Sequence, residues 1–300
     1  MAAKPARAGA RQTPGGGFHV SQPSDPIAPL AGGTPGEPPR PDLPFRPDLP
    51  PPHGGRARPG RRGAWGVPAT WGFWEAVLVG LVGFVGGAVV GGLVANPTGQ
   101  GDLTNLQFVG IGLISEAGLF GAVAGWMAIR HRPAVSALRF DPGKRVDAAI
   151  GFGSGLVLYV VAVVGVGVLV QQIIDLFTDR SIKAPDQLPE HLTGFALVLT
   201  GVLVLVAAPV AEELFFRGFL FRALRERHGF WFSAAISAAL FGAVHYQPAP
   251  WQDWVLLVTV LVSVGLGLAA IYEWRRNLVA NMAAHCAFNV IGFVFVALQK

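Results

Sequence analysis

The sequence predicts an all-α, polytopic membrane bundle of about seven spans behind a disordered tail, and three observations predict it. Leucine- and valine-rich runs of about 20 residues recur along the chain, long enough to cross a bilayer as helices. Hydrophobic residues make up 52% of the 300 residues and charged ones 14%, where a soluble domain usually carries about 25% charged residues. The connections between the runs alternate between arginine-rich and arginine-free. A mean hydropathy of +0.47 agrees.

The tail comes first. Residues 1–62 hold 15 of the 24 prolines and ten glycines. Such a segment buries too little apolar surface to offset its ordering entropy, so residues 1–64 are expected to be disordered. No apolar h-region precedes the first span, so a cleavable signal peptide is not expected. The tail carries nine Lys/Arg against four Asp/Glu, and the remainder fourteen of each. The basic pI therefore belongs to the tail. Aromatic residues that would stack on bases are not interleaved with its arginines, so a nucleic-acid partner is not expected. One cysteine, Cys286, excludes an internal disulfide framework and a multi-cysteine metal site.

The spans follow at about 71–95, 107–130, 147–173, 194–221, 230–247, 252–272 and 277–298. The first begins near Trp71 as an uncleaved anchor, and Gly83, Gly87 and Gly91 give it a face for close helix packing. The loop at 96–106 has no basic residue. The second span runs into Arg130, Arg132, Arg139, Lys144 and Arg145, and the third carries Gly151 and Gly155 at helical spacing. The loop at 174–193 sets Arg180 and Lys183 among four acids and is the one connection that blurs the alternation. The fourth span ends in Arg222, Arg225 and Arg227, the turn at 248–251 has no basic residue, and Arg275 and Arg276 follow the sixth. Under the positive-inside rule the N-terminus is cytoplasmic and the C-terminus external, in a multi-pass cell-membrane protein. Three parts result: a cytoplasmic tail at 1–64, three spans within 65–190, and a four-span core at 191–300.

Ionisable groups inside spans are expensive, so each asks for a function. The chain offers Glu116, Glu212, Glu213, Arg217, His245 and His285, with Asn289 one turn beyond His285. Glu213 and Arg217 lie at i and i+4 in the favourable acid-first order. That pairing neutralises Glu213, while Glu212 points about 100° away and stays free to take a proton. His285 and Asn289 share a helical face and together can present two N–H donors to one point, as a developing oxyanion requires. Counted from the arginine clusters, Glu212, His245, His285 and Asn289 fall in one slab roughly 14–22 Å deep. The expectation is an active site open to the cytoplasmic side. Helix-packing roles for the same residues are the bland alternative.

Glu-Glu-x-x-x-Arg, then Phe-x-x-x-His, then His-x-x-x-Asn, on successive membrane helices, resembles the CPBP family of CAAX-processing and bacteriocin-processing (Abi) intramembrane proteases. The resemblance covers roughly residues 194–298. It implies peptide-bond hydrolysis of membrane-associated proteins or peptides inside a helical bundle. It further implies that Glu212 and His245 activate water, that His285 and Asn289 form the oxyanion hole, and that Glu213 with Arg217 supports the site. The chain has no His-Glu-x-x-His helix and no cysteine pair, so no cofactor is required on this reading. A zinc ion would have to take Glu212, His245 and His285, whose spacing does not support it. Glu116 matches no family motif and is expected to be a buried carboxyl that stays protonated or bonds a neighbouring helix. Cys286 is expected to be a packing residue. The functional alternative is a non-catalytic immunity or permease-associated membrane protein. A transporter is weaker, because paired repeats are missing.

Overall fold

The computed structural model describes residues 65–99, 101–180, 182–184, 187–189 and 192–298, and the tail expected to be disordered lies outside them. Seven helices follow in order: α1 Phe73–Ala95, α2 Asn105–Arg130, α3 Arg145–Asp175, α4 Gly194–Arg225, α5 Phe230–Val244, α6 Trp251–Arg275 and α7 Leu278–Leu298. A 3₁₀ segment, Arg132–Leu138, links α2 to α3. Among the described residues the chain is all-helical and six of the seven helices are long and apolar enough to cross a bilayer, which makes it a multi-pass membrane protein.

The fifth departs from the expected 230–247 span. It has 15 residues, about 22 Å at 1.5 Å per residue, against a hydrocarbon core of about 30 Å. Pro248 and Pro250 explain the early stop, because the residue before a proline is pushed out of the helical region. His245 is thereby left as the C-terminal cap of a short helix.

Other boundaries have equally local causes. The Thr104 side chain accepts a hydrogen bond from the Gln107 backbone N–H, and the Gln107 side chain accepts one from Thr104 N–H, a reciprocal cap that opens α2. Arg276 takes a left-handed conformation, φ 51°, to end α6 and turn the chain into α7.

Small residues set the helix spacing, as the sequence suggests. A methyl group on Gly87 would lie 2.8 Å from the Cα of Ser115, so α1 and α2 touch backbone to backbone. Methyl groups on Gly151 and Gly155 would overlap the carbonyls of Ala280 and Ala284. Helix α7, which carries His285 on the adjacent face, is thus pressed against α3 through Ala280 and Ala284.

The arginine clusters gather at one end of the bundle. Arg222 donates to the carbonyls of Val67 and Ala137 at 2.9 and 3.2 Å and lies 4.4 Å from the Trp65 ring centroid. Arg225 forms a two-pronged pair with Glu273 at 2.8 and 3.1 Å, and Arg275 pairs with Asp147. Just inside this layer Trp71, Phe219, Phe221 and Tyr272 are fully buried. Trp71 Nε1 donates to the Phe219 carbonyl at 2.8 Å and the Tyr272 hydroxyl to Leu138 at 3.0 Å. Aromatic packing closes that end.

Candidate active site

Helix α4 carries the paired glutamates on an irregular backbone. Wide π-helical turns at Leu203–Ala207 and Leu214–Phe221 flank the regular turn Ala208–Glu213. Pro209 contributes, since its ring has no N–H to give and clashes with the preceding turn. Such bulges re-aim side chains and recur at functional sites. Within the regular turn between them Glu212 and Glu213 point about 100° apart and face different surroundings.

Glu213 is fully buried and saturated with donors. Its Oε1 accepts from Arg217 Nη1 at 2.8 Å and from His285 Nδ1 at 3.0 Å, and its Oε2 accepts from Asn281 Nδ2 at 3.1 Å. Arg217, equally buried, sends Nη2 to the Gly265 carbonyl at 3.1 Å and holds its guanidinium 4.8 Å from the Phe241 ring centroid. The i, i+4 pairing expected from the sequence is present.

Glu212 differs. Its Oε2 is buried and accepts no hydrogen bond among the described residues. His245 Nε2 lies 3.9 Å from Glu212 Oε1, and His285 Nε2 lies 4.0 Å from Glu212 Oε2. Both separations exceed a hydrogen bond, so each imidazole faces the carboxylate across a gap. His245 gives its Nδ1 proton to the Phe241 carbonyl at 2.7 Å, which leaves Nε2 as the nitrogen directed at Glu212. The ring packs on Phe241, and Phe241 packs edge-on against His285.

Five of the six residues drawn from the sequence therefore form one constellation from α4, α5 and α7. Asn289 lines the same cavity, but its Nδ2 already donates to the Val204 carbonyl at 2.8 Å. One amide proton is committed to the first π turn of α4 and one remains to offer. Sequence reasoning missed Asn281. It lies four residues before His285 on the same face of α7, fully buried, and donates to Glu213 and to the Leu268 carbonyl at 2.7 Å. The i−4 spacing was the available signal.

The cavity holds about 760 Å³ and its walls are mostly apolar, with residues from all seven helices. Glu116 lines it too, 8% exposed, and its Oε2 has no hydrogen-bond partner among the described residues. The expectation of an opening toward the arginine-rich end is corrected here. The cavity takes lining residues from the connections at the opposite end and none from the arginine-end connections, where Trp71, Phe219, Phe221 and Tyr272 are buried. Among the described residues no three His, Cys, Asp or Glu side chains converge at metal-ligand spacing. Glu212, His245 and His285 are not gathered that closely.

Residues 194–291, which hold every member of this constellation, match the family model described as Type II CAAX prenyl endopeptidase Rce1-like. The segment resembles the CPBP intramembrane proteases. The chain is 30% identical over 94 residues to a Bacillus subtilis (strain 168) protein named "Putative membrane peptidase YdiL". The aligned stretch covers 31% of this chain and 36% of that protein, so the chain spans about a third of the length of the curated relative it matches. No solved structure matches the chain.

Proposed function

We propose that the protein is an intramembrane endopeptidase that hydrolyses peptide bonds of membrane-associated proteins or peptides, with Glu212 as its general base. The observation that carries this reading is the contrast between the two glutamates. A carboxylate kept only for helix packing has its oxygens satisfied, as both oxygens of Glu213 are, by Arg217, His285 and Asn281. Glu212 instead keeps a buried carboxylate oxygen without a partner among the described residues, between two imidazoles and beside an apolar cavity. The resemblance to the CPBP family and to a membrane peptidase supports the same reaction class.

On this reading water binds beside Glu212 within reach of His245 Nε2. Glu212 takes its proton as the oxygen attacks the scissile carbonyl carbon, and the carbonyl π electrons move onto oxygen. His285 and the uncommitted amide proton of Asn289 stabilise that oxyanion. In this role His285 carries a proton on Nε2 besides the one that Nδ1 gives to Glu213. Collapse of the tetrahedral intermediate breaks the C–N bond, and Glu212 returns its proton to the leaving nitrogen. One carboxyl terminus and one amine result. Glu213, Arg217 and Asn281 position His285 and do not touch the reacting atoms.

The proposed organisation has the tail at 1–64, three spans within 65–190 and the catalytic core at 191–300. The N-terminus is cytoplasmic and the C-terminus external, because the arginine-rich end belongs inside. The test is cleavage of membrane-anchored reporter peptides by purified protein in liposomes. Glu212→Gln should abolish cleavage while the protein still inserts and folds, and equal cleavage by both would remove the reading.

A further inference from the structure

The cavity around Glu212 is closed at one end and reaches the loops at the other. The connections at the arginine-rich end, at 131–144, 226–229 and 276–277, contribute nothing to its walls. Those at the opposite end do. Leu103 comes from the α1–α2 connection, Gln187 and Leu188 from the α3–α4 connection, and Tyr246 and Gln247 from the stretch after α5. Tyr246 and Leu103 are exposed.

The short α5 explains the asymmetry. It stops at Val244, and its last turn, with His245 beyond it, forms part of the cavity wall. A helix of full span would continue that wall to the membrane surface, whereas here Pro248 and Pro250 turn the chain away. At the other end Trp71 and Phe219 stack with centroids 5.0 Å apart, and Phe221 and Tyr272 meet edge-on at 6.0 Å. Reaching Glu212 from that side would require breaking this packing and the Arg222 bonds to Val67 and Ala137.

We infer that the catalytic cavity is served from the membrane face opposite the arginine-rich end, which is the non-cytoplasmic face. Its substrates are membrane-anchored chains whose scissile bond lies in the non-cytoplasmic half of the bilayer. The apolar walls suit a hydrophobic segment drawn from lipid, and an open end bordered by Gln187, Tyr246 and Gln247 suits the polar chain that follows it. Cleavage rests on the peptidase reading above. The direction of access rests on the lining residues and the positive-inside rule.

Cysteine accessibility tests the two separately. In a Cys286→Ala background, single cysteines are placed at Tyr246 on the open end, at Ala208 within the cavity and at exposed Ser136 in the arginine-end connection. Intact cells are treated with a membrane-impermeant maleimide for the two end positions and a small charged methanethiosulfonate for Ala208→Cys. Tyr246→Cys and Ala208→Cys should react in intact cells, and Ser136→Cys only after permeabilisation. Reaction of Ser136→Cys in intact cells would overturn the sidedness. Protection of Ala208→Cys until the cytoplasmic face is opened would overturn the direction of the cavity. In a second arm, reporters present one cleavable segment in either leaflet. Loss of only the non-cytoplasmic reporter, abolished by Glu212→Gln, supports the substrate class, and loss of only the cytoplasmic one overturns it. If neither reporter is cut, the peptidase reading fails while the labelling still decides access.

Discussion

Arg217 and Glu213 meet at 2.8 Å, one helical turn apart on α4, with neither side chain exposed to solvent. Two buried charges repay their desolvation only when geometry is good and the remaining donors and acceptors are used. Here Asn281 and His285 also donate to Glu213, and Arg217 also donates to the Gly265 carbonyl. Removing one partner leaves the other charge uncompensated. Arg217→Ala should therefore cost about 3–5 kcal/mol of stability and much of the activity. The pair Glu213→Gln with Arg217→Gln should recover a large part of that stability. Thermal unfolding in detergent of both single variants, the double variant and the wild type gives the coupling directly. Additive losses would mean that the two charges do not support each other.

Glu212 sits beside this network without belonging to it. Glu212→Gln keeps the shape and the apolar contacts but removes the proton acceptor. Turnover of a membrane-anchored reporter should fall by about 10²–10⁴-fold. The melting temperature should stay near that of the wild type, since the replaced oxygen accepts no bond from the described residues.

Asn281 is the positioning residue between the two. Its amide bonds both Glu213 and the Leu268 carbonyl. Asn281→Ala should cost about 1–3 kcal/mol, the penalty for leaving buried acceptors unpaired. Turnover should fall with KM little changed, because His285 loses orientation while the cavity keeps its walls. Asn281→Asp should not rescue it, since a second carboxylate against Glu213 adds like-charge repulsion. Full turnover in Asn281→Ala would separate this residue from the chemistry.

Much of this arrangement was legible in the sequence. Apolar run length located the helices, and i, i+4 spacing found the Glu213–Arg217 pair and the shared face of His285 and Asn289. Three things escaped it. The α5 helix is shorter than the expected 230–247 span, because Pro248 and Pro250 turn the chain out of it. Asn281 shares the His285 face but looks like an ordinary helix polar residue until Glu213 arrives from α4. The direction of the cavity is a tertiary property: aromatics at 71, 219, 221 and 272 read as span residues, and only their convergence shows which end they close.

Gly155 holds α7 in place by having no side chain. Gly155→Ala would push a methyl group into the Ala284 carbonyl, one residue before His285. Overpacking of this kind costs about 1–3 kcal/mol, and a shift of about 1 Å at a catalytic group can cost about 10²-fold in rate. Gly153 is the control, since a methyl there meets nothing within 4 Å. Gly153→Ala should leave activity intact and stability equal or higher. Equal behaviour of the two variants would show that the α3–α7 approach does not set the position of His285.

Glu116 gives the sharpest separation between packing and chemistry. It is a buried carboxyl on α2, facing the cavity that holds Glu212, and its Oε2 has no partner among the described residues. If it bonded a neighbouring helix, one of the two roles the sequence suggests beside staying protonated, Glu116→Leu would destabilise by about 1–3 kcal/mol, because its partner would be left unpaired. The unpartnered oxygen argues otherwise. A leucine of similar volume in this apolar wall removes a desolvated polar group and strands no donor. Glu116→Leu should therefore leave the melting temperature in detergent unchanged or raise it, and Glu116→Gln should be close to neutral. Both variants should lose less turnover than Glu212→Gln, since only Glu212 lies between His245 and His285. A clear drop in melting temperature for Glu116→Leu would restore the interhelical bond. A loss in Glu116→Gln equal to that of Glu212→Gln would move Glu116 into the reaction itself.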